Sequence, residues 1–371
     1  IYYTYSEDYD ISVQKISNTG VVSWTISAVT NSADDIVKAI YPSPSSGCVI
    51  IYESQSFIEG SHIYAVAVSE SGAVQSGWPI ILSVLSGDQY YESSTLAGSG
   101  IFVSFKDNTA NNYDVYGQHI LFAGNLDFVS SGVAIASGTG DQQSSSVAYD
   151  PDKDEALVCY ESPDGSETDI HCNEVNLSTQ VIDNEIIISA NDYNQNNPYV
   201  NWSGHSFMIS WEDSRMSLSL SPEQDIYFQE VKNGGIVIDL SGGVSPSSFD
   251  QKQERPIIVK YSDTYKLYVI LWEDYRSTGK EFCANLYGQS YQSKPCCALG
   301  NMNCDFDSNG IDTFNVLDIV TLANCVLAGD CTDLPYACAA DVNGDADYNV
   351  LDIVTLANCV LAQNCVNRVD Y

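Results

Sequence analysis

Trp211-Glu-Asp213-Ser-Arg215, followed by Asp225-Ile-Tyr-Phe-Gln229, is the pair of segments on which the fold turns. The first closes an apolar run with an aromatic and an acid. The second is a short stretch of alternating polarity, the period of a half-buried strand. Both recur. The aromatic–acid ending, or its substitute, returns as Tyr5-Ser-Glu7-Asp8, Tyr52-Glu53, Phe105-Lys-Asp107, Tyr160-Glu161 and Trp272-Glu273-Asp274. The second segment returns as Asp10–Gln14, His62–Val66, Asp114–Gln118, Asp169–Asn173 and Asn285–Gln289. A third strand such as Glu185–Ser189 and a fourth such as Arg255–Lys260 complete a repeat of about 47 to 61 residues.

Four short strands per unit, parted by Gly, Ser, Asn and Asp turns, make the pattern of a β-propeller blade. The sequence resembles secreted bacterial propellers whose blades carry W-x-D-x-R and D-I-Y-x-Q strands. The two blades with Trp211 and Trp272 match best, and the others match in part. The expectation is an all-β chain, a propeller of about six blades over residues 1–292, with incomplete terminal blades. A sheet short of a strand leaves unpaired backbone groups on an open edge. Either another segment fills that edge or the ring is irregular.

The remainder, 293–371, reads differently. Asn315–Ala328 (NVLDIVTLANCVLA) recurs unchanged as Asn349–Ala362, 34 residues on, and Cys304, Cys325 and Cys331 return as Cys338, Cys359 and Cys365. Before the second copy stands Asp341-Val-Asn343-Gly-Asp345-Ala-Asp347-Tyr-Asn349-Val-Leu-Asp352. Oxygen side chains fall at loop positions 1, 3, 5, 9 and 12, and Asp347 offers its carbonyl, an arrangement that wraps calcium. The first copy aligns Asp307, Asn309, Asn315 and Asp318 but puts Ile311 where Asp345 stands, or else begins with Asp305, Asp307, Asn309 and Gly310 and carries two extra residues; either way it is the weaker loop. The module resembles a type I dockerin, which implies a small helical domain, calcium in the loops and a cohesin-like scaffold as partner. Val316-Leu317 and Val350-Leu351 replace the Ser/Thr pairs that such modules carry at the helix start. Helices apolar nearly all round are expected to be buried on several sides.

Composition narrows the setting. With 49 acids against 14 Lys and Arg the formal charge is −35, which repels nucleic acid and anionic membranes. No apolar run reaches a membrane span. The first residue, Ile1, suits a processed product. Twelve cysteines, eight of them between Cys296 and Cys365, read as disulfides rather than zinc ligands, since paired C-x-x-C units and nearby histidines are absent. Cys159 and Cys172, on successive strands of one blade, are a candidate cross-strand bridge. Partners for Cys48 and Cys283 stay open. Together these features imply an extracellular protein. The sequons at Asn176 and Asn201 permit N-glycosylation.

Paired acids invite a glycosidase reading. However, Glu7-Asp8, Glu212-Asp213 and Glu273-Asp274 are one feature repeated from blade to blade, which favours a structural brace. His62, His119, His171 and His205 show no metal-binding spacing, and no nucleophile elbow or phosphate loop occurs. The expectation is therefore a non-enzymatic, filament-forming or surface-layer subunit that binds copies of itself through its calcium module and open blades. The alternative is a secreted carbohydrate-binding or carbohydrate-active propeller carried on a scaffold by its dockerin.

Overall fold

The computed structural model describes residues 9–183, 185–204, 206–215, 224–232, 235–236, 242–247, 252–262, 267–276, 284–292, 300–302, 313–329, 331, 339–343, 347–362 and 365. The chain divides into two compact units, Ile1–Asp263 with Tyr268–Tyr291 and Thr264–Leu267 with Gln292–Tyr371.

The first unit is a β-propeller built as six sheets among the described residues. The opening sheet has two strands, β1 (Ile11–Ile16) and β2 (Val22–Val29). Four-stranded meanders follow: β3 (Asp34–Pro42), β4 (Gly47–Ser56), β5 (Gly60–Ser69) and β6 (Ile80–Ile81); β7 (Gln89–Ala97), β8 (Gly100–Asp107), β9 (Asp114–Leu121) and β10 (Val133–Ala136); β11 (Gln143–Asp150), β12 (Glu155–Asp164), β13 (Glu167–Asn176) and β14 (Ile186–Ser189); β15 (Gln195–Trp202), β16 (Phe207–Asp213), β17 (Asp225–Lys232) and β18 (Gly235–Ile236). The last sheet holds three strands, β19 (Gln253–Ser262), β20 (Leu267–Asp274) and β21 (Asn285–Gln292). Strands pair with their chain neighbours in every sheet, antiparallel throughout the first five, which is the blade topology.

The blades stack through their middle strands. All of β16 is buried, because its residues pack on both faces. Trp211 and Ile209 share one apolar cluster with Leu157 and Cys159 of the preceding blade. Val49, Ile51 and Ile63 likewise meet Val103 and Phe105. Gly243 closes the turn onto Trp211 with φ +86°, and a Cβ there would lie 2.3 Å from the indole, so only glycine fits.

A polar clasp repeats at each joint between blades. At four joints a residue at or just before the start of one strand donates its N–H to the Asp or Asn at or just before the next inner strand: Tyr9 to Asp34 (3.1 Å), Ser61 to Asp88 (2.9 Å), Tyr113 to Asp141 (2.9 Å) and Thr168 to Asn194 (3.1 Å). In return, the N–H groups of Asp35 and Gln142 donate to the carbonyls of Tyr9 and Tyr113, both at 2.7 Å.

The second unit holds two short helices, α1 (Val316–Ala328) and α2 (Val350–Ala362). Asn315 caps α1, and Asp318 completes a capping box. Gly329 ends the helix in the left-handed conformation at φ 73°. Leu322 and Leu356 are fully buried. The expectation of burial on several sides is corrected here. Val316, Leu317, Val320 and Leu327, and their copies Val350, Leu351, Val354 and Leu361, are all exposed, because one narrow stripe of each helix suffices to make the core.

Disulfides join Cys159 to Cys172, Cys325 to Cys331 and Cys359 to Cys365. Cys159 and Cys172 face each other directly across β12 and β13. Cys48 is the free cysteine among the described residues. Cys283, Cys296, Cys297, Cys304 and Cys338 lie outside them. No helix among the described residues is long and apolar enough to cross a membrane.

Candidate functional site

Successive inner strands carry an irregularity at the same height. The pairing of inner with second strand slips between Val37 and Ala39, Tyr91 and Ser93, Gln143 and Ser146, and Asn196 and Tyr199. Ser144, Asn197 and Arg255 take φ of 54°, 52° and 53°, which lifts their side chains off the sheet. In four blades the residue at the slip meets its own blade's second strand. Lys38 pairs with Glu53 at 2.9 Å, Glu92 with Lys106 at 3.8 Å, and Arg255 with Glu273 at 3.2 Å; the Asn197 amide donates to Glu212 at 3.0 Å.

The same acids stitch one blade to the next. Glu53 accepts the Tyr91 N–H (2.6 Å), Glu161 accepts that of Asn197 (2.9 Å), and Glu212 accepts that of Arg255 (2.8 Å). These glutamates are one architectural feature. The β7–β10 blade breaks the rule: Lys106 occupies the second-strand position, and the acid, Glu92, rises from the inner strand instead. Glu92 accepts the N–H groups of Ser144 and Ser145, both at 2.7 Å.

Glu92, Glu212 and Glu254 share a cavity of about 570 Å³ with Ser144, Asn197, Tyr199 and Arg255. Tyr199 also lines an adjoining cavity of about 400 Å³, with Ser93, Thr95, Tyr149, Asn201 and Trp202. The acids sit in unlike environments. Burial pushes Glu92 and Glu212 above the usual carboxylate range, although their hydrogen bonds oppose it. Burial also pushes Glu254 upward, but hydrogen bonds from Lys252 and Tyr275 outweigh it and hold that acid below the usual range. Carboxyls shifted in opposite directions within one cavity are the ingredients of acid–base work on a glycosidic bond.

The W-x-D-x-R residues form a brace instead. Trp211 donates to buried Asp213 at 2.9 Å, and Arg215, lying over Tyr227, bridges Asp213 to Ser189 and to the Gly242 carbonyl. Trp272, Asp274 and Arg276 repeat the arrangement. His62, His119 and His171 lie on β5, β9 and β13, and His205 falls outside the described residues. Asn176 ends β13, where it accepts from Thr179, and Asn201 lies within inner strand β15.

Of the calcium candidates, Asp307, Asn309 and Asp345 fall outside the described residues. Asp318 is buried and accepts the N–H groups of Met302 (2.9 Å) and Asn315 (2.8 Å). Asp352, equally buried, accepts those of Asn343 (3.1 Å) and Asn349 (2.9 Å). Asp341 and Asn349 are half-buried, and Asn343 and Asp347 are exposed. Among the described residues no group of three or more His, Cys, Asp or Glu is gathered as a metal site.

Glu92 escaped the sequence reading. Its signal was the odd lysine at 106, in a column otherwise acidic, which marks a blade whose charge pair is exchanged.

No family model matches the sequence, and no curated protein matches it. Solved structures similar to this one include the native arabinanase of Bacillus subtilis, 10% identical, covering 68% of this chain and 92% of that one with TM-score 0.36. An exo-1,5-alpha-L-arabinanase from a bovine ruminal metagenomic library is 8% identical over 76% and 96%, TM-score 0.38. A mutant alpha-L-arabinofuranosidase of Fusarium graminearum is 11% identical over 77% and 81%, TM-score 0.42. At such identities the likeness is one of fold. The expectation of a non-enzymatic filament or surface-layer subunit is corrected to this extent: the structures retrieved are named as arabinanases and an arabinofuranosidase, not as structural subunits.

Proposed function

We propose that the first unit is a carbohydrate-active propeller that works at the cavity holding Glu92, Glu212 and Glu254. The observation that carries this reading is the pairing, in one cavity, of a carboxyl raised by burial with one held ionised by its neighbours. Glu92 is the proton donor and Glu254 the anionic partner. Glu212 stays a brace, since Arg255 and Asn197 already engage it. The neighbouring hydroxyls and the Tyr149 and Trp202 rings suit an uncharged, hydroxyl-rich ligand.

Release of reducing sugar from a panel of neutral polysaccharides tests this. Glu92→Gln is expected to cut the rate by about 100-fold or more, as loss of a general acid does, while retention on the same glycans persists. If the wild-type chain neither cleaves nor retains any glycan, the reading falls. Retention without cleavage would favour a second reading, glycan capture, to which the engagement of both Glu92 oxygens by Ser144 and Ser145 lends support.

The second unit we read as a calcium-binding, dockerin-like module that attaches an extracellular protein to a cohesin-like scaffold. Support comes from the duplicated segments and an all-oxygen donor set. The Asp352 oxygens that accept N–H groups keep lone pairs for a cation, so the residues present fit calcium. When bound, calcium would neutralise the loop acids. Asp341, Asn343, Asp345, Asn349 and Asp352 would hold it, with the Asp347 carbonyl.

A further inference from the structure

A second cavity, of about 560 Å³, belongs to the β3–β6 blade and shares no residue with the acid cavity. Tyr52, Ile58, Glu59, Tyr64 and Pro79 line it, together with the connection from β2 to β3. The Tyr52 and Tyr64 rings stack with centroids 5.6 Å apart. Tyr52 is only 2% exposed, yet neither phenol makes a hydrogen bond among the described residues. A buried hydroxyl left without a partner is costly unless water or a ligand supplies one. Burial raises both phenols, and the charges of Asp35 and, at Tyr64, Glu59 push the same way, so both stay protonated donors.

The hairpin between β4 and β5 that walls this cavity has an unusual tip. Phe57 and Ile58 are almost wholly exposed there, whereas the β8–β9 turn carries Thr109-Ala-Asn-Asn112 and the β12–β13 turn Gly165-Ser166. The tip is also fixed in place. Ser56 Oγ accepts the N–H groups of Ile58 and Glu59, both at 3.3 Å, and His62 Nε2 lies 3.0 Å from the Glu59 carbonyl. Gly60 turns with φ +85°, and a Cβ there would lie 2.2 Å from Asp88 Oδ1. An apolar edge held this way loses little freedom when a ligand arrives. Its place in the blade matters too. Asp34 pairs with Gln55 as Gln195 pairs with Asp213, so the start of β3 and the end of β4 lie at the same edge of their blade as Asn197 and Glu212 do of theirs. Glu53 of β4 accepts the Tyr91 N–H at 2.6 Å, which joins this blade to the one that carries Glu92.

We propose that this cavity is a second, non-catalytic glycan-binding site that holds a neutral polysaccharide chain on the same rim as the Glu92 cavity; the class of ligand rests in part on the carbohydrate reading of that first cavity. A sugar ring offers an apolar face to Tyr64, Ile58 and Pro79, and hydroxyls to the two phenols and to Glu59. A purely apolar ligand would leave the Tyr52 hydroxyl unpaired. An anion would meet Glu59 and the fully buried Asp35, in a chain whose formal charge is −35.

Affinity electrophoresis of the full chain through gels cast with linear arabinan, xylan or galactomannan tests the site. The Glu92→Gln background is used, so that cleavage does not consume the ligand. Retardation is expected in at least one gel. Ile58→Asp changes an exposed position and is expected to weaken retention about tenfold, the effect of losing an anchor. Tyr52→Phe removes one oxygen and should weaken it about threefold to tenfold, the worth of one hydrogen bond. Retention that neither variant weakens, or no retention in any gel, would overturn the proposal. Retention weakened by both variants while the wild-type chain cleaves nothing would uphold this site and sink the catalytic reading of the Glu92 cavity. Cleavage by the wild-type chain with retention unmoved by the variants would do the reverse.

Discussion

At the residue scale the molecule handles its buried acids in two opposite ways. Asp35 is left without a counter-charge, whereas Asp274 is given one. Burial would raise Asp274, but the hydrogen bonds from Arg276 and Trp272 hold it below the usual range. Its contribution to stability is therefore present above the ordinary carboxylate pKa and is lost as pH falls through the lowered one. Arg276→Ala would strand a carboxylate with no exposure beneath Tyr287. The expected cost is about 3–5 kcal/mol, the range for breaking a buried pair from one side. Urea unfolding of the last blade, followed by tryptophan fluorescence, should show the midpoint fall. Arg276→Lys should rescue little, because a lysine cannot supply both the side-chain bonds and the stacking. A midpoint within error of wild type would remove Arg276 as a brace. This motif was legible in the sequence because its Trp, Asp and Arg lie within five residues, from Trp272 to Arg276. The Glu92–Lys106 exchange was not, because its members sit on different strands and their shared height depends on an irregularity that no local pattern announces.

At the element scale the strands were easier to read than the helices' surroundings. Alternation and turn residues mark strands independently of what covers them. An apolar helix, by contrast, only suggests that a cover exists. Val316 and Leu317 show why, being 65% and 59% exposed despite a sequence that argued for burial. The duplicated segments also put one residue to two uses: Asp352 sits at the last loop position and is the acid that accepts the Asn349 N–H at the start of α2. Calcium and helix should therefore rise and fall together. Calorimetric titration of the full chain is expected to show binding, and far-ultraviolet circular dichroism a gain of helix stability, with both weakened by Asp341→Asn. Loss of one ligand charge should lower affinity about tenfold or more, since charge count tunes such loops. A chain that takes up no calcium, or a variant that binds as well as wild type, would refute the loop assignment.

At the scale of the whole molecule, charge is the outstanding quantity. The 49 acids face 14 basic side chains, and several of those bases are already committed to near neighbours such as Glu53, Asp213, Glu254 and Asp274. Local pairs leave a long-range field of one sign, which opposes compaction. That field suits a protein that takes neutral ligands and hard cations, and it discourages anionic ones. Salt should then stabilise the chain rather than weaken it, because screening relieves repulsion over distances of about 10 Å while buried pairs are shielded little. In the presence of a chelator, so that no divalent cation contributes, raising sodium chloride from about 10 mM to about 150 mM shortens the screening length roughly fourfold. The apparent melting temperature is expected to climb by a few degrees, the response to about 1–2 kcal/mol in a chain of this size. Scanning calorimetry separates the two units if they melt apart. A melting temperature that falls with salt would mean that attractive pairs, not net repulsion, govern the electrostatics. The blade-to-blade glutamates would then be the next residues to neutralise.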